Sequence, residues 1–310
     1  IVALVDIALE NAQAVMERHQ INVPIFNNVK EAIASTEANL VFNVTIPDAH
    51  AQVVLDSFAL GCNVFGEKPM AASLEESKQL VEAAKQSGKT YAVMQNRRYN
   101  KQIKALRDMI NADTIGQVGF INADFFLGPH FGGFREVMDS PLILDMAIHT
   151  FDQARYITGA DPVSVYCHEF NPAGSWYKGN AAAVCIFEFN DGSVFCYRGS
   201  WCAEGAPTAW ESSWRINGSK GTAIWDGEHV PYAEVVESDP NGFMNQAKKE
   251  EAEISWEGRE DHEGCLDEMF AALAESRKPQ TDCTDNIKTM AMVFGAIESA
   301  KTGKKIKINV

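Results

Sequence analysis

Asn39-Leu40-Val41-Phe42-Asn43-Val44-Thr45-Ile46-Pro47-Asp48-Ala49-His50 is the stretch whose reading decides the fold. An apolar extended segment runs into a turn containing Pro47, and a helical pattern follows over residues 49–60, with Gly61 placed to close it. A strand that is apolar without alternation is buried on both faces, as parallel strands are. The same order recurs on either side. Residues 1–6 form a β-branched apolar strand tipped by Asp6, and helical patterns cover residues 9–19 and 29–35. Residues 63–65 are a further strand, and residues 73–88 are a helix opened by the capping box of Ser73 and Glu76. Residues 90–94 are the next strand. Strands alternating with helices predict a Rossmann-type, doubly wound parallel sheet.

Beyond residue 111 the rhythm changes to longer, alternating strands over residues 117–126, 164–170, 181–189 and 194–201. Asn190-Asp191-Gly192 is a hairpin turn, and residues 214–218 and 221–225 form another hairpin. Residues 234–253 read as a loop or hairpin. Closing helices over 261–276 and 285–301 precede an edge strand at 305–308, whose lysines discourage further pairing. This predicts a second domain with a large, open, mostly antiparallel sheet covered by helices on one face. The expected division is residues 1–114 for the parallel sheet and residues 115–310 for the mostly antiparallel one.

With 310 residues there is room for about two domains, and the net charge of −15 argues against nucleic acid or an anionic membrane surface as partner. No apolar run approaches the roughly 20 residues of a membrane-spanning helix. Residues 1–6 lack the basic start of a signal peptide and read as a strand. Seven scattered cysteines, none in a C-x-x-C pair, fit a reducing cytoplasm and no metal site.

The chemistry-bearing residues cluster at strand ends. Asp6 stands where an acidic side chain accepts from the adenosine ribose and repels a 2′-phosphate, favouring NAD over NADP; the plainer role is to start the next helix. The sequence contains no G-x-G-x-x-G. The expectation is that a central first strand, its glycine loop and a helix, about 30 residues in all, lie upstream of Ile1; the alternative is a degenerate domain that no longer binds a dinucleotide. Thr45, Pro47 and His50 follow a strand's carboxyl end, where ligands lie in open α/β sheets. Glu67-Lys68-Pro69 places a lysine at the next strand end, where it could stabilise a developing alkoxide. In Asn96-Arg97-Arg98-Tyr99 one guanidinium is read as a ligand for substrate or cofactor and the other as an interdomain ion pair.

The last cluster is a predicted amphipathic α-helix from Pro141 to near Gly159, with Leu144, Ile148, Phe151 and Tyr156 on its apolar side. Asp145 and His149 stand four apart, so they share a face. A carboxylate beside an imidazole fixes its tautomer and suits proton abstraction, although such a pair is also a common surface contact. The aromatic group Trp176, Tyr177, Trp201, Trp210, Trp214 and Trp225 is read mainly as sheet packing or subunit contact rather than a sugar platform.

Taken in order and with their separations, Asp6, Thr45-Ile46-Pro47 with His50, Glu67-Lys68-Pro69, Asn96-Arg97-Arg98-Tyr99, and Asp145 with His149 give the chain a resemblance to the Gfo/Idh/MocA family (glucose–fructose oxidoreductase, inositol dehydrogenase, rhizopine catabolism). The resemblance spans nearly the whole chain. It implies Lys68, Asp145 and His149 as the catalytic set, and Asp6, Thr45, Pro47, His50, Glu67 and Lys68 around the cofactor. It also implies Arg97 and His130, with Asp145 and His149, at the substrate. The implied activity is cytoplasmic NAD-dependent hydride transfer at a hydroxyl carbon of a sugar, polyol or cyclitol, in a homodimer or homotetramer formed through the open sheet. Two alternatives are an NAD-dependent lyase or glycoside-cleaving enzyme using transient oxidation, and a non-catalytic sugar- or dinucleotide-binding regulator.

Overall fold

The structure is a computed structural model and describes residues 1–237 and 243–310. The chain forms two compact units: residues 1–94 with 268–287, and residues 95–267 with 288–310.

In the first unit the parallel strands are β1 (Leu4–Val5), β2 (Ile25–Phe26), β3 (Leu40–Asn43), β4 (Asn63–Gly66) and β5 (Tyr91–Val93). Between them run α1 (Leu9–His19), α2 (Val29–Thr36), α3 (Pro47–Ala59) and α4 (Leu74–Ser87). The local sequence explains their starts. Asn28 Oδ1 accepts from the amides of Lys30 and Glu31 at the head of α2, and Ser73 Oγ accepts from Glu76 N at the head of α4. Pro47 occupies the first turn of α3, where its missing N–H costs nothing. The strands pair as β2–β1 and as β3–β4–β5, all parallel.

The sequence expectation divided the chain after residue 114, and the compact units differ from it in two ways. Residues 95–114, including α5 (Lys101–Asn111), belong to the second unit, where α5 packs against α6 (Ile148–Thr158). Residues 268–287 belong to the first unit, where Val93 N donates to Thr281 O at 2.9 Å and Phe270 packs edge-on to Phe65. The backbone of residues 281–282 thus extends the pairing of β5, which propensity along the chain does not reveal.

The second unit is built on a nine-stranded sheet. Its strands are β6 (Val118–Phe126), β7 (Pro162–Phe170), β8 (Ala182–Phe189), β9 (Val194–Ser200), β10 (Ser213–Gly218), β11 (Gly221–Trp225), β12 (Tyr232–Glu237), β13 (Gln246–Glu251) and β14 (Ile306–Lys307). The order is β13-β12-β11-β10-β6-β9-β8-β7-β14, with β6–β9 parallel and the other pairs antiparallel. The Asn190-Asp191-Gly192 turn joins β8 to β9, with Gly192 at a φ of 86° that suits glycine. Residues 234–253 resolve into the hairpin strands β12 and β13, and 238–242 lie outside the described residues. Two further helices, α7 (Asp261–Ala274) and α8 (Cys283–Thr302), each pass from one unit's residues into the other's.

Helix α6 lies on one face of this sheet. Phe151 packs edge-on against Phe187 and Tyr197, with ring centroids 4.8 and 5.3 Å apart. On the opposite face Phe120, Tyr166 and Ile186 are each 44 % exposed. Two features of the central helix depart from expectation. Residues 142–147 are π-helical before α6 begins, and every residue from Ile148 to Ile157 is buried. The segment is therefore enclosed on all sides rather than amphipathic, because loops as well as the sheet pack on it. Most of the aromatic group is core, since Trp201, Trp214 and Trp225 are almost wholly buried, whereas Trp210 is exposed. No helix among the described residues is long and apolar enough to cross a membrane.

Candidate active site

In the first unit the predicted residues sit at the carboxyl ends of parallel strands, the side of such sheets that takes ligands. Asp6 follows β1, and its Oδ1 accepts from Ala8 N at 2.8 Å and from Asn11 Nδ2 at 3.4 Å. It therefore starts α1 as well as standing, half-exposed, at the strand tip. Thr45 is exposed, and its hydroxyl donates to Asn43 Oδ1 at 2.7 Å. Pro47 is half-buried at the head of α3. Glu67 Oε2 accepts from Lys68 N at 3.2 Å, so the two residues turn together, and both are half-buried. The peptide bond from Lys68 to Pro69 is cis. Gly66 allows the chain to pass Tyr91 closely; a Cβ there would lie 2.9 Å from the Tyr91 ring. His50 is 1 % exposed, with Nδ1 2.7 Å from Pro69 O and Nε2 2.9 Å from Thr45 O. Packing of α3 turns the imidazole inward.

In the second unit the site is built on the π-to-α segment. A π-helical turn is wider than an α turn and is a frequent feature of functional sites. Asp145 lies in it, buried, and accepts from Arg135 Nε at 2.8 Å. His149 follows in the first turn of α6 and is 6 % exposed. Arg135 was not among the sequence candidates. It stands ten residues upstream in a stretch without periodicity, and its guanidinium lies over the rings of Phe134 and Phe131, at 4.7 and 5.4 Å. A buried carboxylate needs such a partner, and the presence of one basic residue in a stretch without periodicity was the sole available signal.

Below His149, α6 is fixed by polar contacts. Arg98 grips Asp152 through two hydrogen bonds of 2.6 Å, and Thr289 Oγ1 donates to the same carboxylate at 2.9 Å. This ion pair lies inside the second unit, not between units as the sequence suggested. Arg97 donates to Trp210 O and stands 3.3 Å from Glu211. Glu211 also accepts from Gln153 Nε2 at 2.5 Å. Burial pushes the Glu211 carboxyl up, with Arg97 and Gln153 acting against that. Thr150 and Ser212 hydroxyls meet at 3.1 Å. Arg97 and one side of α6 therefore hold the loop that presents Trp210. His130 is exposed, stacked on Trp176 at 3.8 Å and paired with Glu204 at 3.0 Å. Near the entry to the π turn, Glu169 accepts from Ser140 at 3.0 Å, and burial raises its carboxyl to about 7. Among the described residues no group of three or more His, Cys, Asp or Glu side chains could hold a metal ion.

Residues 1–95 match the model described as "Oxidoreductase family, NAD-binding Rossmann fold", and residues 103–224 match the "GFO/IDH/MocA C-terminal domain". A strand-end dinucleotide fold followed by a large mixed sheet is the layout of an NAD-binding oxidoreductase. The chain belongs to the Gfo/Idh/MocA family of these enzymes. It is 28 % identical to uncharacterized protein y4oX of Sinorhizobium fredii over 289 residues, covering 91 % of this chain and 80 % of that one. It is 23 % identical to 1,5-anhydro-D-fructose reductase of Ensifer adhaerens, over 91 % of this chain and 83 % of that one. The fold is shared with an Agrobacterium radiobacter oxidoreductase crystallised with NAD+, L-tartaric acid and magnesium. The TM-score is 0.86 at 22 % identity, covering 99 % of this chain and 91 % of that one.

Proposed function

We propose that the protein is an NAD-dependent dehydrogenase of a hydroxyl carbon on a sugar, polyol or cyclitol. The observation that carries this reading is the buried Asp145 and His149 on the π-to-α segment, with Arg135 holding the carboxylate. The family's NAD-binding fold and the sugar-acting Ensifer relative support it. His149 accepts the proton of the substrate hydroxyl as general base. Asp145 orients the imidazole and stabilises its charged form, and Arg135 holds Asp145 in place. The Lys68 ammonium donates to the reacting oxygen and stabilises its developing negative charge. NAD, when bound, supplies the acceptor for the hydride leaving carbon.

Asp6 reads the ribose hydroxyls and disfavours a 2′-phosphate, while Thr45, Pro47 and Glu67 line the cofactor. Arg97 and His130 contact substrate. The first unit is assigned to the dinucleotide, and the second to substrate and self-association. The exposed sheet face bearing Phe120, Tyr166 and Ile186 is the surface for a homodimer or homotetramer. The seven free cysteines support a cytoplasmic setting.

The test is NADH formation from NAD with a panel of sugars, polyols and cyclitols, run beside His149→Ala. Net NADH accumulation is expected with at least one substrate, falling about 10²–10⁴-fold in the variant. Accumulation also separates dehydrogenation from cleavage by transient oxidation. No NADH with any polyhydroxylated compound, or wild-type turnover in His149→Ala, would sink the reading.

A further inference from the structure

His50 is 1 % exposed at the strand ends of the first unit, and both of its ring nitrogens face backbone carbonyl oxygens. Nδ1 is 2.7 Å from Pro69 O, and Nε2 is 2.9 Å from Thr45 O. A neutral imidazole has one N–H and one bare nitrogen. A carbonyl oxygen offers only lone pairs, so in either neutral tautomer one of these contacts would set lone pair against lone pair. Only the doubly protonated ring donates to both.

The two carbonyls belong to the loops on either side of the ligand-facing strand ends. Thr45 leaves β3, and Pro69 follows Lys68 after β4. The surrounding bonds tie the same loops together. Asn43 Nδ2 donates to His50 O at 3.2 Å, and Asn43 Oδ1 accepts the Thr45 hydroxyl at 2.7 Å. Glu67 N donates to Asn43 O at 2.9 Å. On the far side of Pro69, Tyr91 Oη donates to Met70 O at 2.8 Å, fixing the next peptide. His50 lies in the first turn of α3, where the helix dipole opposes a cation. Two short charge-assisted bonds, each stronger than a neutral one, act in the other direction.

We propose that His50 is a positioning residue. As an imidazolium bridging Thr45 O and Pro69 O, it fixes the backbone immediately after Lys68 and so aims the lysine, without touching cofactor or substrate itself. The claim rests on the reading of Lys68 as the oxygen-polarising group. Its first test does not depend on activity at all.

Long-range proton–nitrogen correlation on protein with ¹⁵N-labelled histidine, at about pH 7, reads the two ring nitrogens directly. The His50 signals are assigned by their loss in His50→Gln or, if that variant does not fold, in His50→Asn. Two protonated nitrogens are expected, and one bare nitrogen overturns the proposal. The second readout separates positioning from cofactor binding. A displacement of about an ångström at a reacting group costs on the order of 100-fold. In His50→Gln, which can bridge only imperfectly, kcat should fall roughly 10- to 100-fold, while the affinity for NAD measured by thermal shift changes less than about 3-fold. A parallel fall in NAD affinity would instead make His50 a cofactor contact and refute the proposal. Unchanged kcat in His50→Gln beside a large loss in Lys68→Ala would also refute it, leaving the role of Lys68 standing. Full turnover in Lys68→Ala would remove the aiming role and the reading of Lys68 with it, and the nitrogen signals would then decide the bridge alone.

Discussion

Replacing Arg98 with methionine should destabilise the second unit by about 3 kcal/mol. The estimate follows from what remains around Asp152. Asp152 is 2 % exposed and would lose two charge-assisted hydrogen bonds of 2.6 Å. It keeps the Thr289 hydroxyl at 2.9 Å and the Arg155 guanidinium at 3.9 Å. Breaking a buried ion pair by removing one partner costs about 3–5 kcal/mol, and the retained contacts place this case at the lower end. For a unit of this size that is a fall of about 6–12 °C in melting temperature. All six tryptophans lie in the second unit, so intrinsic fluorescence follows that unit alone during heating or urea unfolding. Arg98→Met combined with Asp152→Leu removes both charges and should recover most of the loss, because an apolar replacement of a buried pair is often neutral. Some loss will persist, since Thr289 and Arg155 are then short of one acceptor. A shift below about 2 °C in Arg98→Met, or a double variant as unstable as the sum of its singles, would refute the account of how α6 is anchored. Asp152 stands one turn beyond His149, so this anchor also sets the rotation of the helix that carries the proposed base.

Arg135→Met should lower kcat by about 10-fold or more, because Asp145 loses its 2.8 Å partner; steady-state kinetics with unchanged kcat would show that Arg135 does not support Asp145. Asp6→Asn keeps the acceptor for Ala8 N ahead of α1 but removes the charge, so the NAD-to-NADP ratio of kcat/KM should drop about 10-fold or more; an unaltered ratio would mean that Asp6 only leads the chain into the helix. Glu169 titrates near 7 in the folded chain, above its unfolded value, so the folded state holds the extra proton between about pH 4.5 and 7. Stability should therefore decline as pH rises through that window. Glu169→Gln should stabilise the second unit by about 1–2 kcal/mol at pH 8, after discounting for the partial exposure of the carboxylate, and by almost nothing at pH 4.5. An equal effect at both values would remove burial of the charge as the cause.

Local periodicity was enough to give the alternating strands and helices of residues 1–94, the β8–β9 and β10–β11 hairpins, and the change to a large mixed sheet. Those features depend on which face of a segment is apolar and on turn residues such as Asn190-Asp191-Gly192, and both are written within a few neighbouring positions. The strand-end positions of Asp6, Thr45 and Lys68 follow from the same reading, since where a strand stops is also local. Tertiary structure decided the rest. Residues 268–287 join the first unit because Thr281 O meets Val93 N, a pairing between segments far apart in the chain. Arg135 reaches Asp145 from a short 3-10 helix, and Asp152 takes Arg98 rather than a solvent shell. His50 faces inward because the packing of α3, and not its spacing from Thr45, sets the direction of its ring. A sequence pattern states that a polar group will be buried and must find a partner. Which partner it finds depends on the path of the folded chain, and that is settled only when distant segments pack.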